Sequence, residues 1–238
     1  MRSNARIVSF SGIDGAGKST QIDELLRSLE STGYKPNLYT FWDDVVALSR
    51  FRETASLCAF KGDAGVGRPE RPIARRDKNV SSWYVTAVRL LLYLLDACGL
   101  RFFLWRGAAG SSHLTIFDRY IYDELANLPL HNRFICWYVR ALLTLVPKPD
   151  SALVLDADPE AASRRKPEYP LEFVRRNRDA YLKLAQIAAL KIVPPGTVER
   201  TAEAIRKDVF ENCLRGCMDS ASCRPRRTVS PSISQNQG

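Results

Sequence analysis

A short stretch near the amino end of the chain combines glycines, a lysine and hydroxyl residues at a spacing that can bind phosphate. It fits the pattern G-x-x-x-x-G-K-[ST] and consists of Gly12, Ile13, Asp14, Gly15, Ala16, Gly17, Lys18, Ser19 and Thr20. Glycines let such a loop turn its backbone N–H groups towards phosphate oxygens, and the positive end of the following helix faces the same anion. Lys18 would reach the β- and γ-phosphates, and the Ser19 hydroxyl would bind Mg²⁺. The stretch predicts a nucleoside triphosphate site.

The residues on either side of this stretch have the pattern that such a loop requires. Residues 7–10 are apolar enough for a short buried strand, and the apolar residues after the loop recur at helical spacing, at Ile22, Leu25, Leu26 and Leu29. A strand, a glycine loop and a helix in this order predict a P-loop. A glycine-rich turn without a ligand is the alternative, and it is disfavoured because such a turn needs neither Lys18 nor Ser19.

The composition predicts one globular domain that handles small acidic molecules. The chain has 238 residues, of which 45% are hydrophobic, and its net charge is +9. This length can bury one substantial core. The arginines occur in three separate clusters, at residues 68–76, 164–178 and 224–227, so nucleotide binding and a basic tail explain the charge better than duplex nucleic acid.

The most apolar region, residues 88–105, is interrupted by Arg89, Asp96 and Arg101. We therefore expect residues 83–95 to form a buried helix and not a membrane span. No secretory signal opens the sequence, so the expected location is cytoplasmic.

Strand and helix patterns alternate along the chain. The predicted strands are residues 7–10, 37–41, 114–117, 151–155 and 192–193. This alternation predicts an α/β fold with a parallel five-stranded sheet and helices on both faces. Residues 52–79 lack periodicity and are predicted to be a long loop or insertion, and residues 215–238 a disordered basic tail after a domain of residues 1–214.

The cysteines and histidines do not predict a metal site. The six cysteines form no C-x-x-C pair, and His113 and His131 complete no zinc spacing. Cys98 and Cys136 lie in apolar stretches and are predicted to be buried thiols. Cys213, Cys217 and Cys223, at the end of the domain and in the tail, could bind a metal or form a cross-link, but this alternative is disfavoured.

A second candidate site element follows the third predicted strand. Asp118 stands where P-loop proteins place an acidic residue that supports Mg²⁺, and Arg119 beside it could hold an acceptor phosphate. The alternatives are an ordinary aspartate in a turn and a surface arginine. Ligands of parallel sheets bind at the carboxyl ends of the strands, where Gly12 and Asp118 both fall.

Three blocks of the sequence, taken together, resemble the thymidylate kinase family. They are residues 10–20, the triplet Asp118-Arg119-Tyr120, and residues 149–160 with Pro149-Asp150 before an apolar strand. Their order and spacing match the family. The resemblance implies the P-loop NTPase fold of nucleoside monophosphate kinases, with a lid at about residues 163–179. It also implies transfer of the γ-phosphoryl group of ATP to dTMP, which gives dTDP.

The resemblance also implies roles for individual residues. The loop residues Gly12 to Thr20, with Lys18, hold the ATP phosphates, and Ser19 holds the Mg²⁺ ion. Asp118 supports the metal or the reacting centre. Asp14 lies near the sugar of the acceptor, and Arg119 binds its phosphate.

The loop itself contains no arginine, so the resemblance implies that the lid supplies one, at Arg164 or Arg165. An arginine beside the moving phosphoryl group can be worth about 10³–10⁵ in rate. A solvated helix face is the alternative for the charged residues 164–178.

The chain departs from the family pattern in the region that binds the acceptor. Residues 41–44 replace the family's Arg-Glu-Pro turn, and residues 121–124 replace a serine-containing segment. Tyr93 stands where a phenylalanine stacks on the base, and Ala97 where the family has an arginine, for which Arg101 could substitute. Tyr93 could equally be a core residue. The arginine-rich residues 67–78 could supply replacement contacts.

These departures leave other functions open. A kinase of the same fold could act on another nucleotide or a sugar, and a non-catalytic nucleotide-binding module or switch is a third alternative. The module is disfavoured because it would not need Asp118, Arg119 and the lid arginines together. The expected cofactors are ATP and Mg²⁺, and the expected partners are small nucleotides, with neither nucleic acid nor membrane; a homodimer is left open.

Overall fold

A parallel sheet of five strands forms the centre of the protein. The computed structural model describes residues 6–42, 83–107 and 114–214. Its strands are β1 Arg6–Ser11, β2 Asn37–Thr40, β3 Leu114–Asp118, β4 Ser151–Leu155 and β5 Lys191–Val193. Their order in the sheet is β2-β3-β1-β4-β5, and each neighbouring pair is parallel. The predicted parallel sheet is confirmed, and β1, which leads into the glycine loop, lies at its centre.

Helices connect the strands. Within the described residues they are α1 Lys18–Ser31, α2 Trp83–Gly107, α3 Ile121–Leu125, α4 Arg133–Leu145, α5 Pro159–Arg165, α6 Leu171–Ala188 and α7 Val198–Val209, which a π-helical turn, Phe210–Leu214, continues. Polar side chains cap several of them; the Asp158 carboxylate, for example, accepts a hydrogen bond from the Ala161 amide at the start of α5. Neither α3 nor α5 was predicted, because helices of five and seven residues are too short to show a periodic pattern.

Alternating side chains of the strands face two separate apolar layers. Val8 and Phe10 of β1 pack in one layer with residues of α1 and α7. Phe117 of β3 and Val154 of β4 pack in the other, with residues of α2, α4 and α6. Successive strand residues point to opposite faces, so this division covers both sides of the sheet with helices. The predicted insertion at residues 52–79 and the predicted tail at 215–238 lie outside the described residues.

Helix α2 corrects one prediction, because only one of its faces is buried. Tyr93 and Leu100 lie in the core, whereas Leu91 and Leu95 are exposed and Trp105 is 74% exposed. A helix of 25 residues is about 37 Å long, and strands of three to six residues span at most about 20 Å. The sheet is therefore too short to cover the whole helix. Within the described parts of the chain, no helix is both long and apolar enough to cross a membrane.

The prediction of buried thiols at Cys98 and Cys136 is also wrong. Cys98 is exposed because it lies on the outer face of α2, and Cys136 is only partly buried. Cys213, at the end of the last predicted helix, is buried in the layer that contains α7. The apolar neighbours of Cys98 in sequence therefore did not indicate its burial, because they lie on both faces of the helix: Ala97 and Leu100 are buried, whereas Leu95 is exposed.

Candidate active site

The glycine loop between β1 and α1 is held closely against two other elements. A Cβ atom on Gly12 would lie 2.5 Å from the carbonyl oxygen of Leu155, and one on Gly15 would lie 2.5 Å from that of Ala162. Both glycines also have positive φ angles, of 139° and 82°. Only glycine fits such backbone positions without strain or a clash. The loop is therefore packed between the end of β4 and the last turns of α5.

Lys18 extends back over this loop from the first turn of α1. Its side chain is buried, and its Nζ donates hydrogen bonds to the carbonyl oxygens of Gly12 and Ile13, at 2.7 and 2.9 Å. Burial, aided by the positive charge of Arg119, lowers the pKa of Lys18 to about 8. The carboxylates of Asp123, Asp14 and Asp118 act in the opposite direction, and an anion at the loop would stabilise the charged amine further. Ser19 and Thr20, next along α1, are exposed.

An ion pair joins the loop to the end of β3. The Nη2 atom of Arg119 lies 2.5 Å from the Oδ1 atom of Asp14. Burial alone would raise the pKa of Asp14, but Arg119 and Lys18 outweigh it and hold the pKa below its usual value. Asp14 is therefore ionised at neutral pH, and the pair places a guanidinium group directly over the loop.

Arg119 has an unusual backbone conformation that directs its side chain to this position. Its φ angle is 69°, in the left-handed region that costs a residue other than glycine about 1–2 kcal/mol. Its amide donates a hydrogen bond to the Phe10 carbonyl, at 3.0 Å, and so stays attached to β1. Strain of this kind persists where the surroundings fix a functional geometry.

Asp118 lies at the carboxyl end of β3, in register with Phe10 of β1 and Thr40 of β2. Burial raises its pKa, while the positive charges of Arg119 and Lys18 act in the opposite direction. The structure thus brings Asp118 and Lys18 into electrostatic contact. The Asp118 carboxylate and the exposed Ser19 hydroxyl are the oxygen ligands that Mg²⁺ prefers, so the residues present fit this ion.

Sequence reasoning missed the buried carboxylate of Asp123 in α3. Its Oδ2 accepts hydrogen bonds from the Ser11 hydroxyl and the Tyr120 amide, at 2.7 and 3.1 Å. Its Oδ1 accepts one from the Tyr181 hydroxyl, at 2.7 Å, and lies 3.5 Å from Nη1 of Arg119. The only signal in the sequence was the departure from the family pattern at residues 121–124, which did not reveal these partners.

The predicted lid begins beside the glycine loop. Arg164 and Arg165 end α5 and are both exposed; the Nε of Arg165 donates to the Ala161 carbonyl, at 3.2 Å. The charge of Lys166 contributes to the lowered pKa of Asp14, which places this turn near the site. The arginines are therefore adjacent to the loop and accessible from solvent.

Further along the predicted lid, the arginines are already paired. Arg175 forms ion pairs with Glu160 and Glu172, and Arg178 forms a two-atom pair with Asp156, at 2.6 and 2.7 Å. These contacts agree with the alternative of a charged helix face for this part of the segment. Arg164, in contrast, forms no ion pair with any described residue.

The two remaining predicted acceptor residues differ in where they lie. Tyr93 is buried in the core layer that also contains Phe41 and Tyr120. Arg101 is exposed, and its Nη1 is 3.4 Å from the carbonyl oxygen of Leu145, at the end of α4. That helix end leads into the start of β4, so it lies at the amino ends of the strands, whereas the glycine loop lies at their carboxyl ends. The structure does not bring Arg101 to the site, and residues 43–44 and 67–78 lie outside the described residues.

The chain is similar in sequence to proteins named as thymidylate kinases. Two proteins named "Probable thymidylate kinase", from Thermococcus gammatolerans and Pyrobaculum calidifontis, are each 26% identical to the chain; each alignment covers 85% of this chain and 92% of the relative. A relative from Aeropyrum pernix with a provisional thymidylate kinase name is 27% identical over 222 residues, which are 87% of this chain and 94% of that protein. No protein-family model matches the chain.

A solved structure shows the same fold. It is the thymidylate kinase of Candida albicans, which matches with a TM-score of 0.55 and 18% identity, over 87% of this chain and 92% of that one. The resemblance stated from the motifs and the predicted P-loop NTPase fold are both confirmed.

Proposed function

We propose that this chain, a distant relative of the thymidylate kinases, transfers the γ-phosphoryl group of ATP to dTMP and so forms dTDP. The observation that carries the proposal is the convergence of Lys18, Asp14, Asp118 and Arg119 where β1 and β3 end. A site that only bound a nucleotide would need Lys18 but not a guanidinium group fixed across the loop.

Each of these groups has a part in the proposed transfer. Lys18 and the loop amides bind the phosphates of ATP, because a buried amine and converging N–H groups favour a multiply charged anion. Arg119 binds the phosphate of dTMP through the N–H groups that Asp14 leaves free, and brings it towards the γ-phosphate. Asp14 orients this guanidinium and faces the sugar of the acceptor. Positioning and electrostatic stabilisation of this kind account for most of the catalysis of phosphoryl transfer.

Ser19 and Asp118 are the proposed ligands of Mg²⁺, directly or through water. When bound there, the ion would supply positive charge that neutralises the negative charge developing during transfer. Burial raises the pKa of Asp118 because its negative charge is poorly solvated. A bound cation would stabilise that charge, so Asp118 is suited to this place.

The lid is proposed to supply the missing arginine. Arg164 and Arg165 are exposed in the turn that follows Ala162, and Ala162 contacts the loop at Gly15. Either guanidinium could contact the moving phosphoryl group after a small rearrangement of the turn. Replacing each arginine by alanine and comparing kcat identifies the one that acts, since only that variant should lose about 10³-fold or more.

A second candidate acceptor is another nucleotide or a sugar. The observation that favours it is the position of two predicted acceptor residues, because Tyr93 is buried in the core and Arg101 contacts the far end of α4. The phosphate end of the site is unaffected by this difference, so the reaction class stays the same.

One assay decides between these acceptors. ADP formation is measured with purified protein, ATP and Mg²⁺ against dTMP, dUMP, UMP, CMP, AMP, GMP, thymidine and simple sugars, with Lys18→Ala as the blank. A kcat/KM for dTMP well above all others supports the proposed function. A sugar or another nucleotide as the best acceptor supports the second candidate, and no acceptor-dependent turnover overturns both.

We also propose that the protein forms a homodimer and is located in the cytoplasm. Large apolar side chains are exposed along α2 and α4, among them Phe102, Trp105, Phe134 and Trp137. Phe102 contacts Trp105 and Phe134 contacts Trp137, and exposed apolar patches of this kind mark interaction sites. Light scattering of the wild type and of Trp105→Glu tests the dimer, which predicts twice the chain mass for the first protein and a lower mass for the second.

A further inference from the structure

Asp123 is a buried carboxylate that the proposed transfer does not use directly. Its side chain is 3% exposed, whereas that of Asp14, the other acidic partner of Arg119, is 21% exposed. A buried carboxylate is costly unless donors surround it. Asp123 therefore needs a structural or functional reason to occupy this position in α3.

The donors around Asp123 come from three other parts of the chain. They are the Ser11 hydroxyl at the end of β1, the Tyr120 amide directly after Arg119, and the Tyr181 hydroxyl in α6. Burial, together with the charge of Asp123, raises the pKa of Tyr181, so its hydroxyl keeps the proton that it donates. Both carboxylate oxygens are thus fixed, and the Asp123 side chain has one orientation.

This fixed carboxylate acts on Arg119 at two points. Its Oδ1 lies 3.5 Å from Nη1 of the guanidinium group, and its Oδ2 holds the amide of Tyr120, the next residue. The left-handed backbone of Arg119 is unfavourable by itself and needs contacts on both sides to persist. Asp123 supplies a contact to the side chain and another to the backbone that follows it.

We infer that Asp123 and Tyr181 are positioning residues that hold Arg119 in the orientation that binds the acceptor phosphate. The inference rests on the proposed function, in which Arg119 contacts dTMP. Neither Asp123 nor Tyr181 touches a substrate; Tyr181 orients Asp123, and Asp123 orients Arg119. Because Tyr181 belongs to α6, the acceptor end of the site also depends on how this helix is seated against α3.

The test uses Tyr181→Phe, which removes one oxygen atom and keeps the buried ring. We expect the KM for dTMP to rise about tenfold, as the loss of one buried hydrogen bond to a charged group predicts, with the KM for ATP within about twofold of the wild type. Tyr138→Phe is the matched control, since that hydroxyl donates to the Leu90 carbonyl, away from the loop, and its loss should leave both constants unchanged. An unchanged KM for dTMP in Tyr181→Phe overturns the inference.

A double-mutant cycle separates positioning from a general structural effect. In the Arg119→Ala background, Tyr181→Phe should raise the KM for dTMP no further, because its target is already gone. A further tenfold rise in that background would overturn the inference. If Tyr181→Phe fails to fold, Ser11→Ala takes its place in the same cycle, because it removes a different donor to Asp123.

An NMR measurement that needs no turnover tests the positioning role separately from the proposed function. Rotation about the Nε–Cζ bond of Arg119 can be measured by nitrogen NMR in the full-length protein without substrate. Rotation that is faster in Tyr181→Phe than in the wild type supports the positioning role even if no acceptor is phosphorylated, which would defeat only the proposed function. Equal rotation rates in the two proteins overturn the positioning role.

Discussion

The Nη2 atom of Arg119 and the Oδ1 atom of Asp14 lie 2.5 Å apart, although 105 positions separate the two residues in the sequence. This ion pair joins the end of β3 to the glycine loop, so the two motifs form one site. The guanidinium group also has a carboxylate on its other side, at Asp123. Arginine has five N–H donors, and those that remain after these contacts can bind a planar oxyanion.

Replacing Arg119 by alanine should chiefly impair use of the acceptor. We expect the KM for dTMP to rise about tenfold or more, because a charge-assisted contact to phosphate is lost, while the KM for ATP changes by less than about threefold. Steady-state kinetics with each substrate varied in turn measures both constants. The control is Arg140→Ala, an exposed arginine of α4, and kinetics in Arg119→Ala equal to this control would remove Arg119 from the site.

Replacing Lys18 by alanine should abolish turnover. The variant loses the cation that binds the β- and γ-phosphates, and with it the hydrogen bonds to Gly12 and Ile13 that brace the loop. Removal of one preorganised donor lowers kcat by about 10²–10³-fold, and the loss of a full charge is expected to exceed this. Lys183→Ala, on the exposed face of α6, is the matched control. Turnover by Lys18→Ala within a few-fold of the control would contradict the proposed function.

Two glycines of the loop should respond differently to the same substitution. Gly15 and Gly17 have nearly equal φ angles, of 82° and 89°, but a Cβ atom would clash with the Ala162 carbonyl at Gly15 and meet nothing within 4 Å at Gly17. Gly17→Ala should cost about 1–2 kcal/mol from backbone strain alone. Gly15→Ala should cost about 1–3 kcal/mol more, because the loop and α5 must separate. Urea unfolding measures both free energies, and equal losses would show that the loop does not pack on α5 in solution.

Cys213 should resist alkylation in the folded protein. Burial, with the negative charge of Asp150 adding to it, raises the pKa of this thiol to about 12, from 9.0 in an unfolded chain. Iodoacetamide at pH 8.5 should therefore label the exposed Cys98 and leave Cys213 unlabelled until urea is added, since the thiolate is the reactive form. Peptide mass spectrometry identifies each labelled position. Labelling of Cys213 at the rate of Cys98 would contradict its burial.

The raised pKa of Cys213 also predicts that the protein becomes less stable at high pH. The folded protein keeps the Cys213 proton between about pH 9 and pH 12, and the unfolded chain does not. This contribution to stability is therefore complete below pH 9 and is lost as the pH rises towards 12. The difference in unfolding free energy between the wild type and Cys213→Ala should shrink over this range, and a constant difference would contradict the shift.

The sequence was most informative where the residues of the site are close together along the chain. The glycine loop, Lys18 and the strand ends could be predicted because a P-loop needs fixed residue types at fixed spacing. Asp123 could not, because its partners Ser11 and Tyr181 are more than fifty residues away on either side and no pattern links them. The outer face of α2 was predicted to be buried because apolar composition indicates a helix but not how much of it a short sheet can cover.

The central place of β1 has a consequence for how the protein is made. On the ribosome Arg6–Ser11 emerges first, yet its neighbours, Leu114–Asp118 and Ser151–Leu155, are synthesised more than a hundred residues later. Pairings so distant in sequence form slowly, and until then an apolar strand has no partner on either edge. The sheet around β1 can therefore be completed only after β4 has been translated, and the strand ends that carry the glycine loop and Arg119 assemble no earlier than that.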